Sequence, residues 1–177
     1  MISLEAIFSS LIIYAHEGRE VYNFDTPGAY LHTDIPKDKQ ILLKLRNNSV
    51  DIMCDVNEEH KKNMVIENKK RVLYINIVRA IYGCIKSALM CYDLYYNTLK
   101  DMGFEIKPYD KCISKNIING NQCTIGWYVH DNKISHKEAK VVDDTFTLFK
   151  EKNWDLTIMR GNSHDFIGMN LTRKNRK

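Results

Sequence analysis

Between residues 123 and 136 an apolar, alternating run rises into a cluster of turn formers and descends again, and no other stretch constrains the fold as much. Ile125, Trp127 and Val129 fall on every second position, the period of a strand with one buried face, and Asp131-Asn132-Lys133 supplies turn chemistry. The pattern predicts a β-hairpin with its tip at His130-Asp131 and a short returning arm over 133–136. Such a tip displays an acidic side chain, so the chemistry of the chain is expected there.

The totals set the frame around that hairpin. A chain of 177 residues, 44% hydrophobic and 27% charged, has enough apolar material for one domain with a real core. Its longest apolar run, 11–15, falls far short of the roughly 20 residues that span a bilayer, so no membrane partner is expected. Residues 1–6 carry Glu5 and no basic group, unlike a secretory signal, which points to an intracellular protein of cytoplasm or nucleus. The five cysteines, 54, 84, 91, 112 and 123, show no Cys-x-x-Cys spacing and read as free thiols. A net charge of +4 is compatible with a polyanionic partner without establishing one.

In chain order, apolar residues at 2, 4, 7, 8, 11, 12 and 15 predict a helix over 2–17 stopped by Gly18. A strand over 20–24 then delivers Asp25, and Thr26-Pro27-Gly28 turns the backbone into a short helical or irregular segment from Ala29. Short strands are expected at 41–45, 50–54, 64–67 and 72–77, with one helical turn at 57–62 that has acids first and bases last. A short helix over 78–82 would stop at Gly83, and a long one over 87–102 would end before Gly103, with Leu89, Tyr92, Leu94, Tyr95, Leu99 and Met102 near its buried face. Strands 111–118 and 122–129 pair across Asn119-Gly120, a helix follows over 137–153 with Val141, Val142, Phe146 and Phe149 inward, and 156–159 with 165–171 form a last strand pair. The order gives an α+β fold, an antiparallel sheet packed on helices, with a basic tail over 172–177.

Tyr128-Val129-His130-Asp131 at a hairpin tip resembles the Tyr-x-Asp-Asp catalytic hairpin of reverse transcriptases, and residues 124–136 are similar to the version in copia-type (LTR) retrotransposons. Phe24-Asp25-Thr26-Pro27-Gly28-Ala29-Tyr30-Leu31 resembles the family segment Phe-Asp-x-x-x-Ala-aromatic-Leu; Ile81-Tyr82-Gly83 and Phe166-Ile167-Gly168-Met169 match two further blocks in order and spacing. The resemblance extends from about residue 2 to 171. It implies the palm of a right-handed polymerase with part of the fingers in 40–77, and RNA-directed DNA polymerase as the family activity. It further implies an RNA or DNA template-primer and deoxynucleoside triphosphates as partners, and a retrotransposon polyprotein around the domain. Basic finger residues upstream and a primer grip and thumb downstream do not fit within this chain.

That chemistry uses two Mg²⁺ held by carboxylates, one activating the primer hydroxyl and one steadying the leaving phosphates. By resemblance Asp25 is the first metal carboxylate, His130 stands where the second is expected, and Asp131 is the third. Tyr30 takes the place of the aromatic that blocks a ribose 2′-hydroxyl, Gly83 lies by the templating base pair, and Tyr128 and Val129 support the hairpin. An imidazole is no anionic oxygen ligand, so His130 predicts severe loss of polymerase activity. Taken singly, Asp25 is equally a turn former before Pro27, and Asp131 a hairpin turn residue. Where the family helix block carries Lys-Gln-Ala-Pro-Arg, this chain has Ile85-Lys86-Ser87-Ala88-Leu89. The alternatives to an enzyme are a non-catalytic nucleic-acid-binding remnant and the product of a pseudogene.

Overall fold

The computed structural model describes residues 2–161 and 163–172. Ser3 opens helix α1 (Leu4–Glu17) by accepting the Ala6 N–H on its hydroxyl, and Gly18 closes it in the left-handed conformation at φ 64°. Strand β1 (Glu20–Asp25) follows, then a single 3-10 turn, Ala29–His32. Next comes a small unit: β2 (Leu42–Arg46), α2 (Asn48–Val56), a 3-10 segment Glu58–Asn63, β3 (Met64–Glu67) and β4 (Lys70–Asn76). Helix α3 (Ile85–Asp101) leads to β5 (Glu105–Ile106), β6 (Ile113–Ile118), β7 (Asn121–Tyr128) and β8 (Asp131–His136). Helix α4 (Ala139–Glu151), β9 (Thr157–Met159), β10 (Ser163–Phe166) and β11 (Met169–Thr172) complete the described residues.

Six antiparallel strands in the order β5-β6-β7-β8-β1-β9 form the main sheet, so the two strands that carry Asp25 and Asp131 lie side by side at its centre. Side chains alternate across a sheet, and here the alternation separates two jobs. Phe24, Ile125, Trp127 and Ile134 are buried with α3 and α4, where Phe24 meets Phe146 and Phe149 at ring distances of 5.3 and 5.5 Å. The opposite face presents Asn23, Asp25, Asp131 and Lys133, and the β10–β11 hairpin packs against it, the Asn23 amide donating to the Asp165 carbonyl at 2.6 Å. The fold is α+β with antiparallel sheets, as expected.

Several sequence expectations give way to tertiary structure. Residues 50–54 are helix, not strand: Val50 and Cys54, four apart, are buried over Leu73 while Ile52 between them is 61% exposed, the spacing of a helix face. Residues 78–82 are not helical, because Ala80 N–H bonds the Thr33 carbonyl and Ile35 N–H the Val78 carbonyl, tying the segment to 33–35 through an Asp34–Arg79 bridge. Residues 156–159 and 165–171 do not pair with each other. Strand β9 adds to β1, and 165–171 folds back on itself at Ile167-Gly168, both left-handed (φ 52° and 71°). Helix α1 buries Ala6, Ile7 and Tyr14 but turns Leu4, Phe8 and Ile12 outward, and Leu89 on α3 also faces out. All five cysteines are free, Thr172 ends β11, and 173–177 of the expected basic tail lie outside the described residues. No helix among the described residues is long and apolar enough to cross a membrane.

Candidate functional site

The hairpin forms, with its turn one residue earlier than the composition suggested. Tyr128 pairs with Asp131, so Val129 and His130 are the two turn residues and Asp131, Asn132 and Lys133 belong to β8. Val129 takes φ 56°, a left-handed conformation that a β-branched side chain adopts only under strain. What holds it there is the His130 carbonyl, which accepts from the Thr26 N–H at 3.0 Å, the Thr26 hydroxyl at 3.3 Å and the Asn132 amide at 2.6 Å. The turn is therefore tied to the residue that follows Asp25. Val129→Gly, which removes the strained Cβ, is expected to stabilise the protein by about 1 kcal/mol, read as a higher midpoint in urea.

Asp25 and Asp131 are direct cross-strand partners, and His130, in the turn before Asp131, reaches Asp25. Its Nδ1 lies 2.7 Å from Asp25 Oδ1. A carboxylate only accepts, so Nδ1 carries the proton and donates it, which fixes the tautomer and leaves Nε2 outside the contact. Asp131 is turned the other way: its Oδ2 accepts the Ile167 N–H from the β10–β11 turn at 2.8 Å. Burial pushes the Asp131 carboxyl above its ordinary range, the Ile167 N–H and His130 pulling it back and the Asp25 charge adding to the rise. Two residues along β8, Lys133 is 2% exposed, with its ammonium 5.1 Å from the Phe166 ring centre. Burial brings its pKa down to about 8 against the pull of Asp131.

Tyr30 packs edge-on against Tyr82 with ring centres 4.3 Å apart, and Gly83, at φ 85°, makes the turn into α3 just beyond. Partial burial raises the Tyr30 hydroxyl, which also senses Cys91, Tyr82 and Tyr128; the Tyr82 hydroxyl, raised by burial, senses Cys91 and Asp25. Asp25, His130, Asp131, Tyr30, Tyr82 and Tyr128 thus share one neighbourhood. Thr26, Asn132, Lys133 and Ile167 complete it and were not singled out from sequence. Asn132 and Lys133 read as turn formers, and nothing local marks Ile167 as a donor to Asp131. His136, a conceivable second imidazole, is fully buried and bonded to backbone at Ile118, Asn121 and Glu138, away from the tip.

The donor set does not suit a pair of Mg²⁺ ions. One oxygen of Asp25 takes the imidazole N–H and one of Asp131 takes a backbone N–H. Among the described residues no group of three or more His, Cys, Asp and Glu side chains is arranged to hold a metal ion. Where two-metal chemistry needs an anionic oxygen bridging both ions, this site offers an N–H donor.

No family model and no curated protein sequence matches the chain. Among solved structures it is similar to a telomerase from Candida albicans, determined in complex with a TWJ fragment of telomeric RNA. The TM-score is 0.48 at 11% identity, over 97% of this chain and 34% of that one.

Proposed function

We propose that residues 1–171 are a fingers–palm unit of a copia-type retrotransposon reverse transcriptase in which the nucleotidyl-transfer site has been disarmed. The observation that carries the reading is the cross-strand pairing of Asp25 with Asp131 at the mouth of a Tyr-Val-His-Asp hairpin. In that reading Asp25 and Asp131 are the surviving metal carboxylates, Tyr30 and Gly83 border the nucleotide, and residues 40–77 belong to the fingers. The ancestral partners are an RNA or DNA template-primer and deoxynucleoside triphosphates, inside a retrotransposon polyprotein in the cytoplasm or nucleus. His130 disarms the site twice, by removing an oxygen ligand and by engaging Asp25.

A binding-only remnant is the second reading, favoured by the exposed Tyr82 ring set against Tyr30, a face on which a base can stack. His130→Asp separates the two. Within a longer polypeptide carrying complete fingers and thumb, the substitution is expected to raise Mg²⁺-dependent primer extension by at least about 100-fold over the parent, the scale of restoring one electrostatic group in an active site. Equal extension by both proteins sinks the metal-site assignment, and salt-sensitive RNA binding without any extension leaves the remnant.

A further inference from the structure

Between helix α1 and strands β6 and β7 lies a cavity of about 370 Å³, and none of the residues of the hairpin site lines it. Ala6 and Ile13 of α1 and Ile113 of β6 form an apolar part of its wall. Ile13 and Tyr109, also in the wall, are left 40% and 74% exposed, so this apolar surface is incompletely covered by the fold. The volume falls within the range of small-molecule sites.

Two lysines stand in the same wall. Lys107 follows β5 and is fixed by its N–H on the Ile113 carbonyl at 2.8 Å, while Lys115, two residues along β6 from Ile113, shares its side of the strand. The two ammoniums are close enough that Lys115 is the main cause holding Lys107 below the ordinary lysine range, with burial adding to the effect. Lys115 has a carboxylate partner, Glu105 at 3.5 Å, and Lys107 has none within ion-pair distance among the described residues. The Thr124 hydroxyl, in the same wall and 5% exposed, accepts from Gln122 at 2.9 Å and from Arg19 at 3.1 Å. Both of its lone pairs are then used, and its own proton has no acceptor among the described residues. The wall thus holds two adjacent cations and a buried donor that lack an anion or acceptor. Glu5 is its one carboxylate, so a single positive charge is left over.

We propose that this pocket binds a small amphiphilic carboxylate, its anionic head taken by Lys107 and Lys115 and its apolar body seated against Ile13 and Ile113. A monoanion matches the surplus charge, whereas a polyanion brings more negative charge than two lysines beside Glu5 can pair. The site does not rest on the metal-site reading. 2-Naphthoate and 2-naphthamide make a matched pair of probes, alike in shape and differing in one charge. Titrated into the chain with labelled isoleucine methyl groups, 2-naphthoate is expected to saturate and to bind at least about tenfold more tightly than the amide, because its hydrogen bonds are charge-assisted. The Ile13 and Ile113 methyl resonances are expected to shift, with Ile158 on β9, at the opposite edge of the sheet, as the control. The preference should shrink between about 0.1 and 1 M salt, as the screening length drops from about 10 to 3 Å. Lys107→Gln and Lys115→Gln, at partly exposed positions, are each expected to reduce it without changing the melting temperature by more than a few degrees, and Lys107→Arg to retain it. Ser9→Trp, at an exposed position in the wall, is expected to abolish binding of both probes with the fold intact. Failure of 2-naphthoate to saturate, equal affinity for the two probes, a preference untouched by both glutamine variants, or shifts at Ile158 without shifts at Ile13 and Ile113 overturns the proposal. Displacement of bound 2-naphthoate by a short single-stranded oligonucleotide also overturns it, by giving the lysines to a phosphate backbone.

Discussion

Phe24→Ala is expected to cost about 3–5 kcal/mol, enough to leave a domain of ordinary stability, about 5–15 kcal/mol, close to unfolding. Phe24 is fully buried, touching Phe146 edge-on and Phe149 at a tilt, and so ties β1 to α4. Its removal leaves a cavity at the centre of the sheet that neighbouring rings cannot fill without leaving their own contacts. The same residue sets the chemistry, because alternation along β1 sends Asp25 to the opposite face only while Phe24 holds the strand's register. Urea unfolding monitored by tryptophan fluorescence reads the loss; a cost below about 1 kcal/mol contradicts the packing described. Phe24→Leu, which keeps most of the volume, should recover more than half of it.

What sequence revealed and what it hid follow from the range of the interactions. The hairpin across Asn119-Gly120, helix α4 and the cap at Gly18 are local events, written in turn chemistry and in a 3.6-residue period, and they fold where expected. Helix α2 was misread because Val50, Ile52 and Cys54 suit a strand and a helix equally until Leu73 arrives from β4 to cover only the first and last. Segment 78–82 has helical composition but meets the 33–35 backbone first, a partner no local pattern announces. The candidate site divides in the same way. Asp25, His130 and Asp131 stand in motifs that sequence exposes. The direction in which each carboxylate points depends on His130 Nδ1 and on the Ile167 N–H, the second 36 residues away in sequence.

Lys133→Met should make the protein more stable at neutral pH, by about 2–3 kcal/mol. A buried ammonium needs an anion or several acceptors, and Lys133 has the face of Phe166 and the electrostatic pull of Asp131 but no carboxylate within ion-pair distance among the described residues. The cost shows in its pKa, about 8 when folded against 10.5 for an ordinary lysine. Below pH 8 both the folded and the unfolded chain hold this proton, and the folded state bears the full penalty, about 3 kcal/mol at most. Between pH 8 and 10.5 the unfolded chain holds a proton that the folded chain has released, so stability attributable to this group rises with pH and levels off above that window. Methionine has a similar length and no charge, so the advantage of the variant should be largest at pH 7 and should shrink steadily to pH 10. Comparing variant with parent at each pH cancels the other titrating groups. The gain is smaller than the full penalty because Asp131, deprived of a nearby cation, becomes harder to ionise. An advantage that is constant across this range would mean that the folded and unfolded chains hold this proton equally, so that burial does not depress the Lys133 pKa, and a destabilised variant would mean that the ammonium is a net support for the β10–β11 hairpin that caps Asp131.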